Sequence, residues 1–490
     1  MIGDEYLLGI DIGTLGVKCS IVDYYGRIIS YSYIPHDVLT PKIDWSEQDP
    51  EQHWWNDTVK AIRNVLSSYK INPAQIKAIG VSGLFPDMCP LDRNGRPLRN
   101  AILYSDNRSF HEAIYLNNRY NLNITTEEVI SKIIWFMKNE PEKFKQTKMI
   151  LNAPNYITYK LTGVFSTDYL LASYYGGIYD NTKKKWNEIL LEELGLTPDI
   201  LPPVHSTIEV VGEVSQEASK ITGLTKGTPV INGTGDVFTT MLSSTVIDPG
   251  DTLIYYGTAG LCIILNKYLR DLFVGNFRNI DECLFQVAYV LTTGELLNWF
   301  VKELYRYGRY VVEDLGINVY ELLDNKASNI PPGCNGLFVL PYFRGERMPR
   351  FKPDARGIIF GLTIYHTIYH IYRAMLESFG YVIRLGLQIE EIKRKGIIPK
   401  RLVASGGGAK SYLWRQIVTD IIRMPQEYVK DADSSIGAAF LSGLGINALK
   451  NIEQIKSWVR IKDVSNPNIT NSEKYEELYQ EFLRLYNLFG

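Results

Sequence analysis

The segment that most constrains the fold lies at residues 5–34 and reads EYLLGIDIGTLGVKCSIVDYYGRIISYSYI. Its pattern predicts three consecutive strands. An apolar run at Tyr6–Asp11 is followed by a turn at Thr14–Gly16, a returning strand at Val17–Val22, and a further hairpin that begins at Tyr25-Gly26. Strands and helices then alternate to about residue 240, which is the pattern of an α/β fold.

Asp11 is a charged residue inside the first apolar run. Burying an ionised carboxylate is costly unless a cation or hydrogen-bond donors satisfy it. The loop that follows, Gly13-Thr14-Leu15-Gly16, offers backbone N–H groups and a hydroxyl, which are the ingredients of an anion-binding nest, and Lys18 lies just beyond it. We therefore interpret this hairpin as a phosphate loop beside a carboxylate that orients a hydrated metal ion. A turn-capping aspartate is the alternative.

A similar hairpin pattern returns in the second half of the chain. Residues 251–266, DTLIYYGTAGLCIILN, again show an apolar strand, a Gly-Thr turn and an apolar strand. A chain of 490 residues is too long for one ordinary core. We therefore predict two similar α/β domains, at residues 1–245 and 246–490, that face each other across a cleft. Two such turns would hold the phosphates of one nucleotide from both sides.

Asp236 follows the apolar strand and glycines of PVINGTG. Two roles fit this position: the N-cap of the next helix, or a catalytic base at the domain junction. The two roles do not exclude each other.

A third glycine-rich strand end is RLVASGGGAKSYLW, residues 401–414. Its glycines allow a ligand to approach the backbone, and a helix that begins near Ser411 favours phosphate or adenosine. A dinucleotide fingerprint is the alternative, because Gly406 and Gly408 have the right spacing and acids follow at Asp431 and Asp433. Ser411 stands where that fingerprint needs its third glycine. No Gly-Lys-Ser/Thr sequence of a P-loop occurs.

Several helices and loops are predicted from capping residues and periodicity. Residues 49–69 are predicted to be a helix with Asp49 as N-cap and a capping box completed by Gln52. A second helix is predicted around 367–393, and residues 463–473 are predicted to be a loop before a final amphipathic helix.

Composition excludes some classes of function. The formal net charge is -2, with 52 basic and 54 acidic residues, so no global field favours nucleic acid or an anionic membrane. Five scattered cysteines without a CxxC pair indicate neither a zinc ribbon nor a disulfide framework. Acidic Asp4 and Glu5 lie where a signal peptide needs basic residues, and no apolar stretch is long enough to span a bilayer. We expect a cytoplasmic protein.

Together these elements resemble the FGGY family of carbohydrate kinases, which share the ribonuclease H-like ATPase fold of actin and hexokinase. The resemblance covers nearly the whole chain, and residues 45–55 are similar to the xylulokinase branch in particular. It rests on seven segments in the family's order: LGIDIGTLGVK at 8–18, WSEQDPEQHWW at 45–55, AILYSDNR at 101–108, NGTGD at 232–236, YYGTAG at 255–260, LPYFRGERMPRFKPDARGIIFGL at 340–362, and SGGGAKSYLWRQIVTDI at 405–421.

The resemblance implies ATP and Mg²⁺ as cofactors and assigns roles to individual residues. Asp236 would be the general base, and Asp11 would position the magnesium ion together with it. The residues implied to contact the nucleotide are Thr14, Leu15, Gly16, Lys18, Gly257, Thr258, Gly294, Asn298, Gly407, Gly408 and Ser411. The residues implied to contact the sugar are Phe85, Pro86, Asp87, Asp106, Arg108 and Asp236.

The sugar site departs from the family pattern. Xylulokinases usually read GQMHG where this chain has Gly83-Leu84-Phe85-Pro86-Asp87, so the polar pair that meets the sugar is missing and Asp87 is a candidate substitute. Tyr104 replaces a tryptophan, and Ala259 stands where serine is typical. We predict phosphorylation of a hydroxyl on a small sugar, with a ketopentose such as xylulose leading.

Other acceptors and other classes of protein also fit these sequence features. Another ketose, glycerol or gluconate fits the altered sugar site. An actin- or chaperone-like ATPase without a small-molecule acceptor, and a sugar sensor without activity, share the expected fold. The resemblance also implies a homodimer that binds a small sugar or polyol and neither nucleic acid nor a membrane.

Overall fold

The computed structural model describes residues 5–350, 352, 354–388, 396–430 and 432–489. Within these residues the chain divides into two compact units. Unit 1 comprises Met1–Ile247, Tyr268–Cys283 and Asp433–Val459, and unit 2 comprises Asp248–Lys267, Leu284–Ala432 and Arg460–Gly490. The chain thus first passes into unit 2 after Ile247, and two later segments return to unit 1. The bounds 1–245 and 246–490 stay a prediction.

Unit 1 is built on a mixed sheet with the strand order β13-β14-β5-β1-β2-β3, and β15 also pairs with β5. Strands β1, β2 and β3 are antiparallel, whereas β5 runs parallel to β1 and β14 runs parallel to β5. The strands of unit 1 are β1 Tyr6–Gly13, β2 Gly16–Asp23, β3 Ile28–Pro35, β4 Glu47–Gln48, β5 Ile76–Gly83, β6 Cys89–Leu91, β7 Ala101–Ile102, β8 Met149–Leu151, β9 Thr167–Asp168, β10 Tyr179–Asp180, β11 Lys185–Trp186, β12 Val204–His205, β13 Val210–Glu213, β14 Pro229–Ile231 and β15 Thr234–Gly235.

Unit 2 has a sheet with the order β18-β17-β16-β21-β22-β23. Its first three strands in sequence are antiparallel, and β21 and β22 add in parallel, so the arrangement repeats that of unit 1. The predicted similarity of the two halves is therefore present in their topology. The strands of unit 2 are β16 Asp251–Tyr256, β17 Gly260–Leu265, β18 Leu284–Val290, β19 Phe338–Leu340, β20 Ile358–Phe360, β21 Arg401–Ser405, β22 Gln426–Val429 and β23 Ile461–Ser465.

The helices surround these sheets. The α-helices of unit 1 are Asp57–Ser68, Phe110–Tyr120, Val129–Asn139, Pro141–Phe144, Ala153–Thr162, Tyr169–Ser173, Glu188–Glu193, Gln216–Thr222, Asp236–Ser243, Leu269–Phe273, Ser434–Gly445 and Ile455–Trp458. Those of unit 2 are Thr293–Trp299, Arg306–Asp314, Val319–Ser328, Ile368–Leu387, Tyr412–Ile422 and Ile469–Phe489. Within the described part of the chain, every helix is too short or too polar to cross a lipid bilayer.

The helix predicted at 49–69 begins where expected but differs in its first turns. Asp49 caps it by accepting from the N–H groups of Glu51 and Gln52. Residues Pro50–Asn56 form a π-helical segment before the α-helix Asp57–Ser68. The predicted capping box is wrong, because the Gln52 amide oxygen accepts from Asn56 instead.

Of two other predictions, one differs from the structure and one extends beyond the described residues. The stretch predicted as a loop at 463–473 contains the end of β23, and the last helix already begins at Ile469. The helix predicted around 367–393 is present as Ile368–Leu387, and residues 389–393 lie outside the described residues. All five cysteines are buried.

Helix Ser434–Gly445 packs directly on the unit 1 sheet because two facing strands carry glycine. A Cβ on Gly9 of β1 would lie 1.7 Å from the carbonyl oxygen of Ser435, and one on Gly80 of β5 would lie 1.9 Å from that of Ala438. Only glycine permits so close an approach. This packing brings the N-terminus of the helix, at Asp433, to the end of β1.

Candidate active site

Asp11 is the centre of a charged group in unit 1. It lies near the end of β1, opposite Lys18 on β2, and only 2% of its surface is exposed. One carboxylate oxygen accepts a hydrogen bond of 2.9 Å from Ser82 Oγ, and the other lies 3.4 Å from Lys18 Nζ. Burial raises the pKa of Asp11, and the ammonium group of Lys18 opposes that rise. The structure thus supplies the donors that a buried carboxylate needs.

Asp433 joins this group, although the sequence linked it only to the dinucleotide alternative. Its Oδ2 lies 3.2 Å from Lys18 Nζ, and its Oδ1 accepts from the N–H of Ser435 as the N-cap of the helix. The negative charge of Asp433 adds to the rise in the pKa of Asp11. Asp431, the other acid of that alternative, lies outside the described residues. Nothing in the local sequence around Asp433 indicates a partner more than four hundred residues away.

Asp236 follows β15, which runs parallel to β5, and it is the first residue of helix Asp236–Ser243. Gly235 occupies the N-cap position, so the prediction that Asp236 caps the helix is wrong. The side chain stays partly exposed, as a group that meets a substrate must. Burial and then the charge of Asp11 raise the pKa of Asp236 to about 8, while Lys18 opposes the rise. Asp11, Lys18, Asp433 and Asp236 therefore form one electrostatically linked cluster.

The predicted phosphate loop of unit 1 is an exposed, two-residue turn between β1 and β2. Leu15 is at its tip, with 43% of its surface exposed, and its carbonyl accepts from the hydroxyl of Tyr33. Gly16 has a φ of +154°, and a Cβ there would lie 2.5 Å from the carbonyl oxygen of Ile34. Thr14 Oγ1 lies 3.2 Å from the hydroxyl of Tyr104. The loop presents backbone groups and a hydroxyl beside the charged cluster, and its contact with phosphate stays a prediction.

In unit 2 the structure brings Gly294 against the second Gly-Thr turn. The N–H of Gly294 donates to the carbonyl of Gly257 at 3.0 Å, and that of Glu295 donates to the carbonyl of Thr258 at 3.1 Å. A Cβ on Gly294 would lie 2.5 Å from the Gly257 oxygen. Asn298, on the same helix, is exposed and accepts from the hydroxyl of Tyr320 at 2.5 Å.

The three glycines before Ser411 border the same turn. Gly406 has a φ of +96°, and a Cβ there would lie 2.8 Å from the carbonyl oxygen of Tyr256, the residue before Gly257. A Cβ on Gly407 would meet nothing within 4 Å. Ser411 is the N-cap of helix Tyr412–Ile422 and accepts from the N–H of Trp414 at 3.0 Å. The glycine-rich segments of unit 2 therefore converge on one backbone-lined surface.

The sugar-site segment of unit 1 holds a buried ion cluster. The carboxylate of Asp106 accepts four hydrogen bonds, from the N–H groups of Ser46 and Arg108 and from two guanidinium nitrogens of Arg108. The Arg108 guanidinium also lies over the ring of Trp45, 3.7 Å from its centre. Since both oxygens of Asp106 already have protein partners, this geometry gives the residue a structural role beside any contact with a sugar.

The Phe85-Pro86-Asp87 segment contacts helix Asp236–Ser243, whose first residue belongs to the charged cluster. The ring of Phe85 is partly exposed and stacks on Phe238, two residues beyond Asp236, with ring centres 5.4 Å apart. Asp87 is fully buried, and its carboxylate accepts from the N–H of Ala153. Burial holds the pKa of Asp87 well above its usual range, and the charge of Asp236 adds to this. Phe85 is thus the accessible member of the segment, whereas Asp87 does not replace the missing polar pair on an exposed surface.

Lys132 is a buried residue of this region that sequence reasoning missed. It lies on helix Val129–Asn139 with no exposed surface, and its Nζ donates to the carbonyl oxygens of Pro86, at 3.1 Å, and Glu127. Burial lowers the pKa of Lys132 to about 8. A lysine among the apolar residues Ile130, Ile133 and Ile134 was the available signal, because a buried lysine needs oxygen partners.

Comparison with known proteins agrees with the order of these elements. Residues 6–243 match the N-terminal domain of the FGGY family of carbohydrate kinases, and residues 252–445 match its C-terminal domain. The chain is 27% identical to the xylulose kinase of Bacillus subtilis (98% of this chain, 97% of the relative) and 28% identical to the gluconokinase of Bacillus licheniformis (98% and 95%). The crystal structure of a xylulose kinase from Rhodospirillum rubrum superposes with a TM-score of 0.82 at 28% identity, over 99% of each chain. The chain therefore belongs to the FGGY family of carbohydrate kinases.

Proposed function

We propose that the protein transfers the γ-phosphoryl group of ATP to a hydroxyl of a small neutral sugar, with Asp236 as the general base. The observation that supports this most is the state of the Asp236 carboxyl group. It is partly exposed beside Asp11 and Lys18, and its pKa is raised to about 8. A general base works best when its pKa lies near the operating pH.

The carboxyl groups of Asp11 and Asp236 fit a magnesium ion. Mg²⁺ prefers oxygen ligands and is commonly held by one or two carboxylates together with substrate phosphates and water. Mutual repulsion contributes to the raised pKa of Asp236, so a cation beside the two groups is electrostatically favourable. Among the described residues, no set of three or more histidine, cysteine or acidic side chains is arranged to hold a metal ion. When bound with ATP, the ion would offset negative charge on the phosphoryl oxygens.

In the proposed reaction Asp236 accepts the proton of the sugar hydroxyl as the hydroxyl oxygen bonds to the γ-phosphorus. The bond from that phosphorus to the bridging oxygen breaks, and ADP leaves with the electron pair. Lys18 and the loop residues would stabilise charge on the phosphoryl oxygens. The proposed phosphate contacts are Thr14, Leu15, Gly16, Lys18, Gly257 and Thr258, and the proposed contacts of the rest of the nucleotide are Gly294, Asn298, Gly407, Gly408 and Ser411.

The acceptor is inferred to be neutral because the nearby cations are already bound to oxygen atoms. Lys132 is fully buried against two carbonyl groups, and the Arg108 side chain is 1% exposed and binds Asp106 and Glu47. An aldonate such as gluconate would need an accessible cation for its carboxylate. A ketopentose has no such need, and the partly exposed ring of Phe85 suits the C–H face of a sugar. Xylulose is therefore the first acceptor to test.

The decisive variant is Asp236→Asn, which keeps the shape of the side chain and removes the base. We expect kcat to fall by about 10²–10⁴ with ATP binding retained. Coupled ADP release with xylulose measures the rate, and equilibrium dialysis with ATP and Mg²⁺ measures binding. Asp199→Asn, the same change at an exposed acid, is the control. Wild-type turnover in folded Asp236→Asn would falsify the assignment.

A panel of xylulose, ribulose, glycerol and gluconate tests the acceptor with the wild-type protein. We expect the highest kcat/KM with a ketopentose and the lowest with gluconate. Gluconate as the best acceptor would overturn the inference from the buried cations. ATP turnover that is unchanged across the panel would instead favour the chaperone-like ATPase alternative. As a consumer of ATP the protein is expected in the cytoplasm, and the homodimer stays a prediction.

A further inference from the structure

The segment at residues 45–55, WSEQDPEQHWW, lies between the sugar-site segment and the phosphate loop of unit 1. Its two-residue strand β4 pairs with β7, which opens the sugar-site segment. The backbone continues this contact, because the N–H of Leu103 donates to Ser46 and the N–H of Ser46 donates to Asp106. The segment is thus fixed along one side to residues 101–108.

The side chain of Gln48 reaches the phosphate loop. It is fully buried, and its Nε2 donates to the backbone carbonyl of Thr14 at 2.8 Å. The indole N–H of Trp54 donates to the Gln48 Oε1 at 2.7 Å. Because an indole nitrogen is a donor only, this contact fixes which end of the amide faces Trp54 and turns the donor end toward Thr14. Trp54 therefore orients the Gln48 amide, and the N–H group of that amide binds the Thr14 carbonyl.

His36 supports the neighbouring peptide of the same loop. Its Nε2 lies 3.1 Å from the Gly13 carbonyl oxygen and 3.1 Å from the Gln48 Nε2, and its Nδ1 lies 3.1 Å from Asp57 Oδ2. Burial lowers the pKa of His36, and its hydrogen bonds to Asp57 and to the Gly13 carbonyl oppose that fall. Two consecutive carbonyl groups of the loop are thus contacted from the interior of unit 1.

Glu47, the neighbour of Gln48, points to the other side of β4. Its carboxylate lies 2.6 Å from a guanidinium nitrogen of Arg99 and 2.8 Å from one of Arg108, and it accepts from the amide of Asn100. Successive residues of a strand point to opposite faces. A strand of two residues therefore ties the sugar-site segment to the phosphate loop.

We propose that Gln48 is a positioning residue for phosphoryl transfer, which rests on the function proposed above. By holding the Thr14 carbonyl inward, it keeps the N–H groups of the loop directed toward the phosphates. Phosphoryl transfer depends on this geometry, because small displacements of aligned groups strongly lower the rate. The segment at 45–55 then helps to align the phosphate loop.

The test is Gln48→Glu, which is isosteric and replaces the N–H donor with an oxygen that repels the Thr14 carbonyl. With the acceptor that gives the highest turnover, we expect kcat to fall by about 10–100-fold and the KM for the sugar to stay unchanged. Gln146→Glu, the same change in the exposed turn after helix Pro141–Phe144, is the matched control and should behave as wild type. Thermal melts and circular dichroism check folding.

Trp54→Phe provides a second route, because it removes the bond that orients the amide and leaves Gln48 in place. We expect kcat to fall in the same direction by a smaller factor. Wild-type kcat in a folded Gln48→Glu protein, or a loss confined to the KM for the sugar, would overturn the proposal. If Gln48→Glu does not fold, wild-type kcat in Trp54→Phe overturns it. An inactive wild type, or an active Asp236→Asn variant, would instead overturn the proposed function.

Discussion

The two sheet-opening hairpins share a topology and differ in chemistry. In unit 1, β1 and β2 are joined by a two-residue turn, and Asp11 and Lys18 flank it. In unit 2, β16 and β17 are joined by a three-residue turn, and the matching positions are Tyr255 and Cys262. The hairpin of unit 1 thus carries charge, whereas that of unit 2 carries neutral side chains and is packed by glycines. One topology therefore supports two tasks, which we assign to the reacting groups in unit 1 and to nucleotide recognition in unit 2.

Among variants of the two hairpins, we expect Asp11→Asn to lower kcat most. The change removes a charge from the cluster of unit 1, and we expect kcat to fall by about 10²–10³. Tyr255→Phe at the matching position of unit 2 should leave kcat close to wild type. Steady-state rates at saturating ATP measure both. Equal losses in the two variants would contradict the division of tasks.

A pH profile tests the charged cluster without any change in packing. The base form of Asp236 is needed, and its pKa is raised to about 8 by burial and by Asp11, so kcat/KM for ATP should rise as the pH approaches 8. Below that value we expect about a tenfold loss per pH unit. Since the folded protein favours the protonated acid, the contribution of Asp236 to stability is full at low pH and is lost as the pH rises through 8.

The pH dependence of stability that Asp236 causes can be measured separately. Asp236→Asn resembles the protonated acid, so its thermal midpoint should exceed that of the wild type increasingly as the pH rises from 4 toward 8. A constant difference between the two midpoints across that range would contradict the raised pKa. The Asp11→Asn protein should show its acid limb at lower pH, because one cause of the rise is removed.

The glycine packing of unit 2 is tested by Gly294→Ala. A Cβ there would lie 2.5 Å from the Gly257 carbonyl, so the turn must shift, and we expect the KM for ATP to rise by about tenfold, or 1.4 kcal/mol. The KM for the sugar should change less. Nucleotide binding by equilibrium dialysis and steady-state KM values measure the effect.

Gly407→Ala separates protein packing from ligand contact, because a Cβ at Gly407 would meet nothing within 4 Å of the protein. Its thermal midpoint should equal that of the wild type, while that of Gly294→Ala falls. If adenosine approaches this glycine, as we propose, Gly407→Ala nevertheless weakens ATP binding. Unaltered ATP binding in Gly407→Ala would remove Gly407 from the proposed nucleotide contacts.

Local pattern was sufficient for much of the fold. The strands at 6–13 and 16–23 and the helix starts near 50 and 412 followed from apolar runs, turn glycines and caps. The repeated Gly-Thr hairpin correctly indicated two sheets of similar topology. The capping box at Gln52 failed because Asn56 competes for the same amide oxygen one turn later. Such a competition between neighbouring polar groups is not visible in a cap motif.

The candidate site was predictable where a residue sits beside its own turn and was missed where partners are distant in sequence. Asp11, Thr14 and Asp236 stand next to glycines at strand ends. Asp433 reaches Lys18 only through the packing of a late helix on β1, and Lys132 reaches Pro86 through the packing of another helix. These contacts depend on tertiary packing, which a single sequence does not reveal. Family motifs placed Asp106 at the sugar, and only the structure showed that both its oxygens already have protein partners.

The smallest expected effect compares two helix caps, one in each unit. Ser411 caps helix Tyr412–Ile422 in unit 2, and Asp433 caps helix Ser434–Gly445 in unit 1 while it also pairs with Lys18. Ser411→Ala should lower the free energy of unfolding by about 1 kcal/mol because it removes the cap. As Ser411 is also a proposed nucleotide contact outside the reacting groups, the change should raise the KM for ATP and alter kcat little. Asp433→Asn keeps a good cap and loses the charge, so it should leave unfolding almost unchanged and alter kcat. Urea unfolding and steady-state rates on both proteins decide this. If Asp433→Asn leaves both the free energy of unfolding and kcat unchanged, Asp433 acts only as a cap, and the reacting cluster of unit 1 consists of Asp11, Lys18 and Asp236.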